Sequence, residues 1–549
     1  MSTSRSVKSR PVDSSVESSV ARALAAPAMY RGHPTVRVHE THASLVFLAG
    51  DRAYKIKKPV RLTFLDYSTL AARHAACLEE VRINRELAPD IYLGVSAIVR
   101  ASGGGFRFAS EGTPGAVEYA VVMRRFDEAH TLQGAIRARS LTRTQICQVA
   151  RRLADFHNHA PALAVGGPAQ LLKTWMANIE EIERLDTPPE WRMEVMRGFG
   201  EAFVSAHARE IELRGEQGCV RDGHGDLRCE HVLLGPPVRV VDRIEFDPTL
   251  RQLDVACDLA FLTMDLEAHR RHGAAQNLVR AYRRAGGSPG SNQLRDFYGA
   301  YWALVRAKVA LIAAASGAGR ARWREEARAG RLWKLAERLC WRARSPVAIA
   351  VCGTAASGKS TLAAELSRRS GFPVVSSDAV RKRHAGLEAT ERARPEHYTG
   401  DFTKTTYELL TRSSLSRLDR KGAVIVDATC HTKSERAQLF ESLHRSGATF
   451  LVVRCKVTLQ TALERASARM QSPGRISDAT PQIVAEQFAR FEALSEIPAA
   501  SALVLDTEQD LDAQVAELAI AVDTRMLAVR ALSARAGAVY PVVERQADA

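Results

Sequence analysis

The sequence predicts two domains, an α+β N-terminal part followed by an α/β C-terminal part whose parallel sheet is flanked by helices. Three observations predict this. At 549 residues the chain exceeds what one hydrophobic core supports, so at least two domains are expected. Period-two alternation at 35–38, 44–48 and 52–57, turned at Gly50-Asp51, gives way to apolar positions at helical spacing, the order of a small antiparallel sheet followed by a helical half. Beyond Ser345-Pro346 five short apolar runs alternate with helical stretches, and that alternation implies parallel strands with helices on both faces.

Taken in order, residues 1–28 begin with a Ser-rich stretch that lacks the apolar centre of a secretory signal, and they read as a disordered tail. A helix is expected over 68–87, ending before Pro89, and a strand over 117–124. From 142 to 157, Ile146, Val149, Leu153 and Phe156 recur at helical spacing and open the helical half. Helices are expected over 171–214 and 257–337, and the strand-and-loop region 223–248 between them carries most of the polar chemistry. Trp302, Trp323, Trp333 and Trp341 fall on these helices and are assigned to packing. The first domain is bounded at 29–340, the second at 346–530, and 531–549 is a C-terminal tail. Strands of the second domain are expected at 347–352, 373–376, 423–426, 450–453 and 502–505, with Gly371 closing one helix and Thr480-Pro481 opening another.

Composition narrows the class. With 46% hydrophobic and 25% charged residues the chain has the makeup of a globular protein, and no uninterrupted apolar run approaches the length of a bilayer span. Nine scattered cysteines without CxxC pairs fit a reducing, cytoplasmic setting. The net charge of +15 suits anionic nucleotides and solvated helix faces; a nucleic-acid partner is not expected, because the aromatic and basic interleaving of single-strand binders is missing.

The stretch Gly353-Thr354-Ala355-Ala356-Ser357-Gly358-Lys359-Ser360, followed by Thr361, satisfies GxxxxGK[ST] directly after an apolar strand. Glycines let backbone N–H groups turn inward around a phosphate, Lys359 reaches its outer oxygens, and the Ser360 hydroxyl is placed to hold Mg²⁺. Asp427 ends the strand 423–426 where a carboxylate holds such a cation, or where a turn simply begins. Asp378 closes the run Val374-Val375-Ser376-Ser377-Asp378 at the same sheet edge, with Arg381 and Arg383 following; its plainer role is a helix N-cap. Arg465, Arg469 and Arg475 flank a Pro473-Gly474 turn as a lid that clamps a phosphoryl group, or as an exposed Arg-rich helix.

In the first domain, His224-Gly225-Asp226-Leu227-Arg228-Cys229-Glu230-His231 sets an Asp in a short turn, and Val240-Val241-Asp242 ends a strand with a second Asp. Phosphoryl transfer uses such a pair, one carboxylate to orient the acceptor hydroxyl and one to hold the metal. Lys55 lies on a strand with Glu80 on the following helix as its ion-pair partner, and Lys57 is a rival on the same strand face. His224 braces the turn, and Cys229 packs.

These motifs carry two resemblances. Residues of about 346–530 resemble the zeta-toxin-like and gluconate-kinase-like P-loop kinases through the loop, the Ser-Ser-Asp-x-x-Arg segment and the Val-Asp-Ala-Thr strand end. That implies a P-loop NTPase fold, with Asp378 as substrate-side base or Mg²⁺ partner and Arg381 as a substrate anchor. Residues of about 30–310 resemble the aminoglycoside-phosphotransferase branch of the protein-kinase-like fold through His-Gly-Asp-Leu, the following strand Asp and Asp258-Leu259-Ala260. That implies a bilobal fold in which Asp226 is the base, Asp242 binds Mg²⁺, Lys55 contacts nucleotide phosphates and Asp258 is structural. The sequence departs from the pattern twice. His231 stands where that branch places a metal-ligating Asn, so it is either a metal ligand or a histidine satisfied within the fold, and no GxGxxG precedes Lys55, which leaves the hairpin at 41–44 to cover the phosphates. Together the resemblances imply an ATP- and Mg²⁺-dependent phosphotransferase acting on a hydroxyl of a small molecule. The alternative is an ATP-hydrolysing regulatory protein with an inactive kinase-like lobe.

Overall fold

The structure, a computed structural model, describes residues 14–30, 32–41, 43–62, 65–185, 190–388, 390–470 and 480–535. It divides into two compact units that interleave in sequence: Met1–Gly166 with Leu213–Gly290, and Gly167–Glu212 with Ser291–Ala549.

The first unit is built on a six-stranded antiparallel sheet ordered Val36–Glu40, Ser44–Ala49, Arg52–Lys57, Ala116–Arg124, Tyr92–Arg100, Phe106–Ser110. The three strands and the 117–124 strand expected from period-two alternation are present; Tyr92–Arg100 and Phe106–Ser110 were not anticipated. Gly94 interrupts the former, and its pairing slips register between Tyr92 and Gly94, so alternation is broken in the sequence as it is in the ladder. The helix Leu70–Asn84, capped where the Thr69 hydroxyl accepts from the Ala72 N–H, packs Cys77 and Val81 against Tyr92 and Val121.

The helical part of this unit centres on Arg143–His159, whose Ile146, Val149, Leu153 and Phe156 are buried as their spacing requires. They meet Leu227, Val232 and Val240 from the polar loop region and Leu259, Leu262 and Leu278 from the following helices. The catalytic-looking loop is thus pinned from beneath by its own apolar residues. This sheet-plus-helices arrangement fits the kinase-like fold.

One expectation is overturned. Residues 14–28, assigned to a disordered tail, form the helix Ser14–Leu24 and a short 3-10 turn at Pro27–Met29. Val20 and Leu24 lie one helical turn apart, are buried, and pack with Phe47, Ile56, Ile98 and Ala120 of the sheet, while Tyr30 donates its hydroxyl to the Leu24 carbonyl at 2.9 Å. A two-residue apolar stripe sufficed, and its serine-rich setting hid it.

In the second unit five strands form a wholly parallel sheet ordered Val374–Ser376, Ala423–Asp427, Val347–Cys352, Thr449–Lys456, Ala502–Asp506. Every residue of Val347–Cys352 is buried, and the strand feeds two cores by alternation. Val347, Ile349 and Val351 face Leu362, Leu366, Leu518 and Val522, whereas Ala348, Ala350 and Cys352 face Tyr407, Leu410, Leu439 and Leu443. Helices therefore cover both faces, as the sequence predicts.

Compact packing divides the chain differently from the linear boundary near residue 346. The helices Pro168–Glu183, Glu190–Ala206, Asn292–Ser316 and Gly319–Ala343 belong with the parallel sheet, since Val195 and Trp341 join its core and Arg344 forms a buried bidentate pair with Asp523 at 2.7 Å. Trp302, Trp333 and Trp341 are buried as expected; Trp323 is 68% exposed, which corrects its assignment to packing, because it sits on the outward face of its helix among arginines. Among the described residues one helix, Asn292–Ser316, is long and apolar enough by length and composition to cross a membrane, and half of that apolar window is buried inside the protein. The helix Leu511–Arg535 runs past the expected domain end at 530, and 536–549 lie outside the described residues.

Leu24→Ala is expected to lower the stability of the first unit by about 2–5 kcal/mol through lost burial and the cavity left behind. Urea denaturation of the full chain measures it, and an unchanged midpoint would show that the N-terminal helix contributes nothing.

Candidate active sites

The phosphate loop leaves the buried strand Val347–Cys352 and enters the helix Lys359–Ser370, and left-handed backbone makes the turn possible. Gly358 has φ +89° and Gly353 φ +148°, and a Cβ on Gly353 would lie 2.6 Å from the Ser357 hydroxyl and 3.0 Å from the Cys455 carbonyl. Ala356, at φ 61°, holds the same conformation without being glycine, a local strain of the kind that concentrates in ligand clamps. The Lys359 ammonium donates back to the Thr354 carbonyl at 3.3 Å, arching over the loop it will share with a phosphate. From outside, the Thr507 hydroxyl donates to the Ser357 carbonyl at 2.7 Å and ties the turn to the end of the edge strand Ala502–Asp506, two strands away in the sheet.

Asp427 ends the adjacent parallel strand, and its carboxylate sits beside Ser360. Burial raises its pKa, an effect opposed by the Lys359 charge and a Ser360 hydrogen bond and reinforced by the nearby Asp378. Its Oδ1 is buried without a hydrogen-bond partner, as is the Ser357 hydroxyl. A buried carboxylate oxygen left unpaired is costly unless a ligand completes it. Ser360 and Asp427 thus offer hard oxygen donors side by side, a donor set that fits Mg²⁺. Thr361 is exposed in the first turn of the helix.

The arginines fare differently. Arg381 is buried and donates to the His397 carbonyl at 2.6 Å and the Thr403 hydroxyl at 3.2 Å while covering the Tyr398 ring, so it braces the turn Pro395–Tyr398. Arg465 donates to the Thr507 carbonyl at 2.8 Å and so touches the residue that locks the phosphate loop. The Arg469 side chain, Arg475 and the Pro473-Gly474 turn lie outside the described residues. Sequence reasoning missed Gln487, whose Oε1 accepts the Ala355 N–H at 2.7 Å and so occupies an amide of the loop itself.

In the first unit the site is a chain of alternating charges. Lys55 donates to Glu80 Oε1 at 2.8 Å and to Asp242 Oδ1 at 2.9 Å; Lys57 donates to Glu80 Oε2 at 2.6 Å and also pairs with Glu245, which accepts from the Tyr67 hydroxyl at 3.0 Å. Both lysines use Glu80, and Lys55 alone of the two reaches Asp242. Burial alone would lower the Lys55 pKa; Asp242, Glu80 and Glu245 outweigh it and hold the ammonium well above its usual range. The Asp242 carboxyl is lowered chiefly by Lys55, against its own burial, and further by His231. Its backbone is left-handed at φ 64°, and its N–H donates to the Tyr92 hydroxyl at 3.0 Å. Glu245 and Tyr67 were missed; the only signal for Glu245 was a carboxylate three residues after Asp242.

The loop carrying Asp226 is braced as expected. The His224 ring lies between the Val241 carbonyl at 3.0 Å and the Asp226 N–H at 3.2 Å, and burial lowers its pKa to about 4, so the ring is neutral. The buried Asp258 accepts from the N–H groups of His224 at 2.7 Å and Gly225 at 3.1 Å, and His157 and Tyr282 continue the network behind it. Asp226 itself is engaged by Arg228, which donates from Nε at 2.9 Å and from Nη2 at 2.7 Å. The donor atoms of Asp226, His231 and Asp242 lie within 4.8 Å of one another, which makes this trio able to hold a cation. The 41–44 hairpin proposed to cover a nucleotide includes His42, which lies outside the described residues; Thr41 and Ser44 close the turn by mutual hydrogen bonds.

Comparison with known proteins places these sites in context. Residues 349–494 match the family model described as an AAA domain. The uncharacterized proteins Rv2004c and MT2060 of Mycobacterium tuberculosis and Mb2027c of Mycobacterium bovis are each 32% identical over 472 residues, covering 83% of this chain and 90% of theirs. Among solved structures, a choline/ethanolamine kinase family protein from Mesorhizobium loti is 18% identical and covers 59% of this chain and 95% of its own, with a TM-score of 0.34. A gluconokinase from Sinorhizobium meliloti is 21% identical, covering 35% of this chain and 98% of its own, with a TM-score of 0.26. Shikimate kinase from Acinetobacter baumannii is 18% identical, covering 35% and 93%, with a TM-score of 0.22.

Glu80→Ala would leave two lysines buried with one carboxylate fewer. It is expected to destabilise the first unit by about 3–5 kcal/mol, the cost of breaking a buried ion pair from one side, measured by urea denaturation against the unsubstituted chain.

Proposed function

The chain belongs to the protein family of the mycobacterial proteins Rv2004c, MT2060 and Mb2027c, and we propose that it is an ATP-dependent phosphotransferase with two nucleotide-binding modules, each delivering the γ-phosphate to a hydroxyl of a small molecule. The observation that carries the reading is the phosphate loop 353–360 between a buried strand and a helix N-terminus, with the unpaired Asp427 oxygen beside Ser360.

In the second unit the loop amides and Lys359 receive the nucleotide's phosphates, Ser360 and Asp427 hold Mg²⁺, and Asp378 lies at the substrate side of the same sheet edge. Arg465 supports the loop through Thr507. In the first unit Lys55, oriented by Glu80, meets the phosphates, Asp242 holds the cation, and Asp226 accepts the proton of the attacking hydroxyl. Bound Mg²⁺ supplies neutralisation of the phosphate charge that develops during transfer. Before Asp226 can take a proton, its ion pair with Arg228 must open. That contact favours a second reading in which the first lobe only binds, and the second unit hydrolyses ATP to drive a conformational change. A cytoplasmic location completes the proposal.

Lys359→Ala is expected to abolish nucleotide turnover by the second unit while far-UV circular dichroism stays unchanged. Asp226→Asn is expected to slow acceptor phosphorylation by the first unit by about 10²–10⁴-fold. ADP release measured with and without a panel of sugars, aminoglycosides and nucleotide sugars, with mass spectrometry of the products, checks both. Turnover that no acceptor stimulates would support the binding-only reading of the first lobe, and no uptake of ATP or GTP by calorimetry would overturn the enzyme reading altogether.

A further inference from the structure

We infer that the cation site of the first unit takes a first-row transition-metal dication in preference to Mg²⁺, with the Nε2 of His231 as a direct ligand beside Asp242. The inference deepens the phosphotransfer reading of that lobe and rests on it. It starts from two contacts that fix the state of one ring. The Nδ1 of His231 lies 2.8 Å from the Asp226 backbone carbonyl, which only accepts, so Nδ1 carries the proton and donates. Nε2 lies 3.0 Å from Arg228 Nη2, which only donates, so Nε2 presents its lone pair. The ring is therefore held as the tautomer a metal ligand requires, its remote N–H tied to a backbone carbonyl as ligating histidines are.

The surroundings of that lone pair call for positive charge. Nε2 lies 3.7 Å from Asp242 Oδ2 and 4.0 Å from Glu230 Oε1, and Asp242 keeps Oδ2 on this side because its Oδ1 is taken by Lys55. Three electron-pair donors converging on one point repel one another unless a cation lies among them, and in the structure the Arg228 guanidinium does that work, donating to Asp226, Glu230 and His231 together. An imidazole nitrogen in the donor set shifts preference away from Mg²⁺, which favours oxygen and near-ideal octahedral geometry, toward the transition series, whose affinity for nitrogen rises from Mn²⁺ to Cu²⁺. Mn²⁺ stands lowest in that series and is the most demanding probe.

The test uses the full chain carrying Lys359→Ala, which removes phosphate capture by the second unit, with the methylene analogue of ATP present. Mn²⁺ binding is followed by electron paramagnetic resonance and displaced with Mg²⁺. The expected result is Mn²⁺ bound at least about tenfold more tightly than Mg²⁺, with ¹⁴N modulation of the kind imidazole gives in the electron spin echo. His231→Asn is expected to remove that modulation and to weaken Mn²⁺ about tenfold or more while leaving Mg²⁺ nearly unchanged. The echo signal of the His231-containing chain decides the matter even if the variant folds poorly. Mn²⁺ uptake without nitrogen modulation, or with equal affinity for Mg²⁺, overturns the inference and leaves the phosphotransfer reading standing. No nucleotide-dependent uptake of either ion overturns both.

Discussion

The first unit depends on a row of charges that runs Asp242, Lys55, Glu80, Lys57, Glu245 through its interior. None of these groups could be buried alone, since taking a single ion out of water costs several kcal/mol even after relaxation. Alternation solves the problem because each internal member has an opposite charge on either side. The solution has a structural consequence. The row joins a strand, the helix Leu70–Asn84 and the loop beyond Val240, three segments that come together only in the folded unit. Site geometry and sheet-to-helix packing are therefore one interaction, and displacing Lys55 removes the partner of Glu80 Oε1 and of Asp242 Oδ1 together.

The second unit meets the same demand, an anionic phosphate beside carboxylates, by another route. Its positive potential comes mainly from backbone N–H groups at the start of Lys359–Ser370, shaped by left-handed residues, with one lysine added. Backbone amides need no counter-charge when empty, so no buried ion row is required. The cost appears instead as the unpaired oxygens of Asp427 and Ser357 and as strain at Ala356. Gln487 relieves part of it by taking the Ala355 N–H.

How far the sequence disclosed these arrangements follows from the range of the forces involved. The phosphate loop and its strand were fully legible, because the demand for glycine at left-handed positions and for Lys-Ser at the helix entry is local and acts through adjacent residues. All five parallel strands were legible for the same reason, each being a short apolar run bounded by punctuation. Asp226 and Asp242 were readable as a pair because a turn and a strand end announce themselves. Glu245, Tyr67 and Gln487 were not, since their partners lie far away in sequence and nothing in their own surroundings marks them. The N-terminal helix was hidden differently: two apolar residues among serines make a weak periodic signal, yet they bury completely once a sheet supplies the other side. Packing of 167–212 and 291–343 with the parallel sheet was also invisible, because an apolar helix face does not state which core it will join.

Arg228 ties these strands of reasoning together. It lies two residues beyond Asp226 and reaches both of its carboxylate oxygens, Glu230 and His231, so a positive charge already lies among these groups. Such a contact orients the half-buried Asp226 carboxylate. It also opposes proton uptake, since a carboxylate held by a guanidinium is a weaker base. Under the proposed reading the two effects would be reconciled if His231 and Asp242 held the cation and a bound phosphate drew the guanidinium toward itself, which would leave Asp226 able to accept the hydroxyl's proton. Under that reading the ion pair between Arg228 and Asp226 would act as a gate that opens only when cation and phosphate are both present.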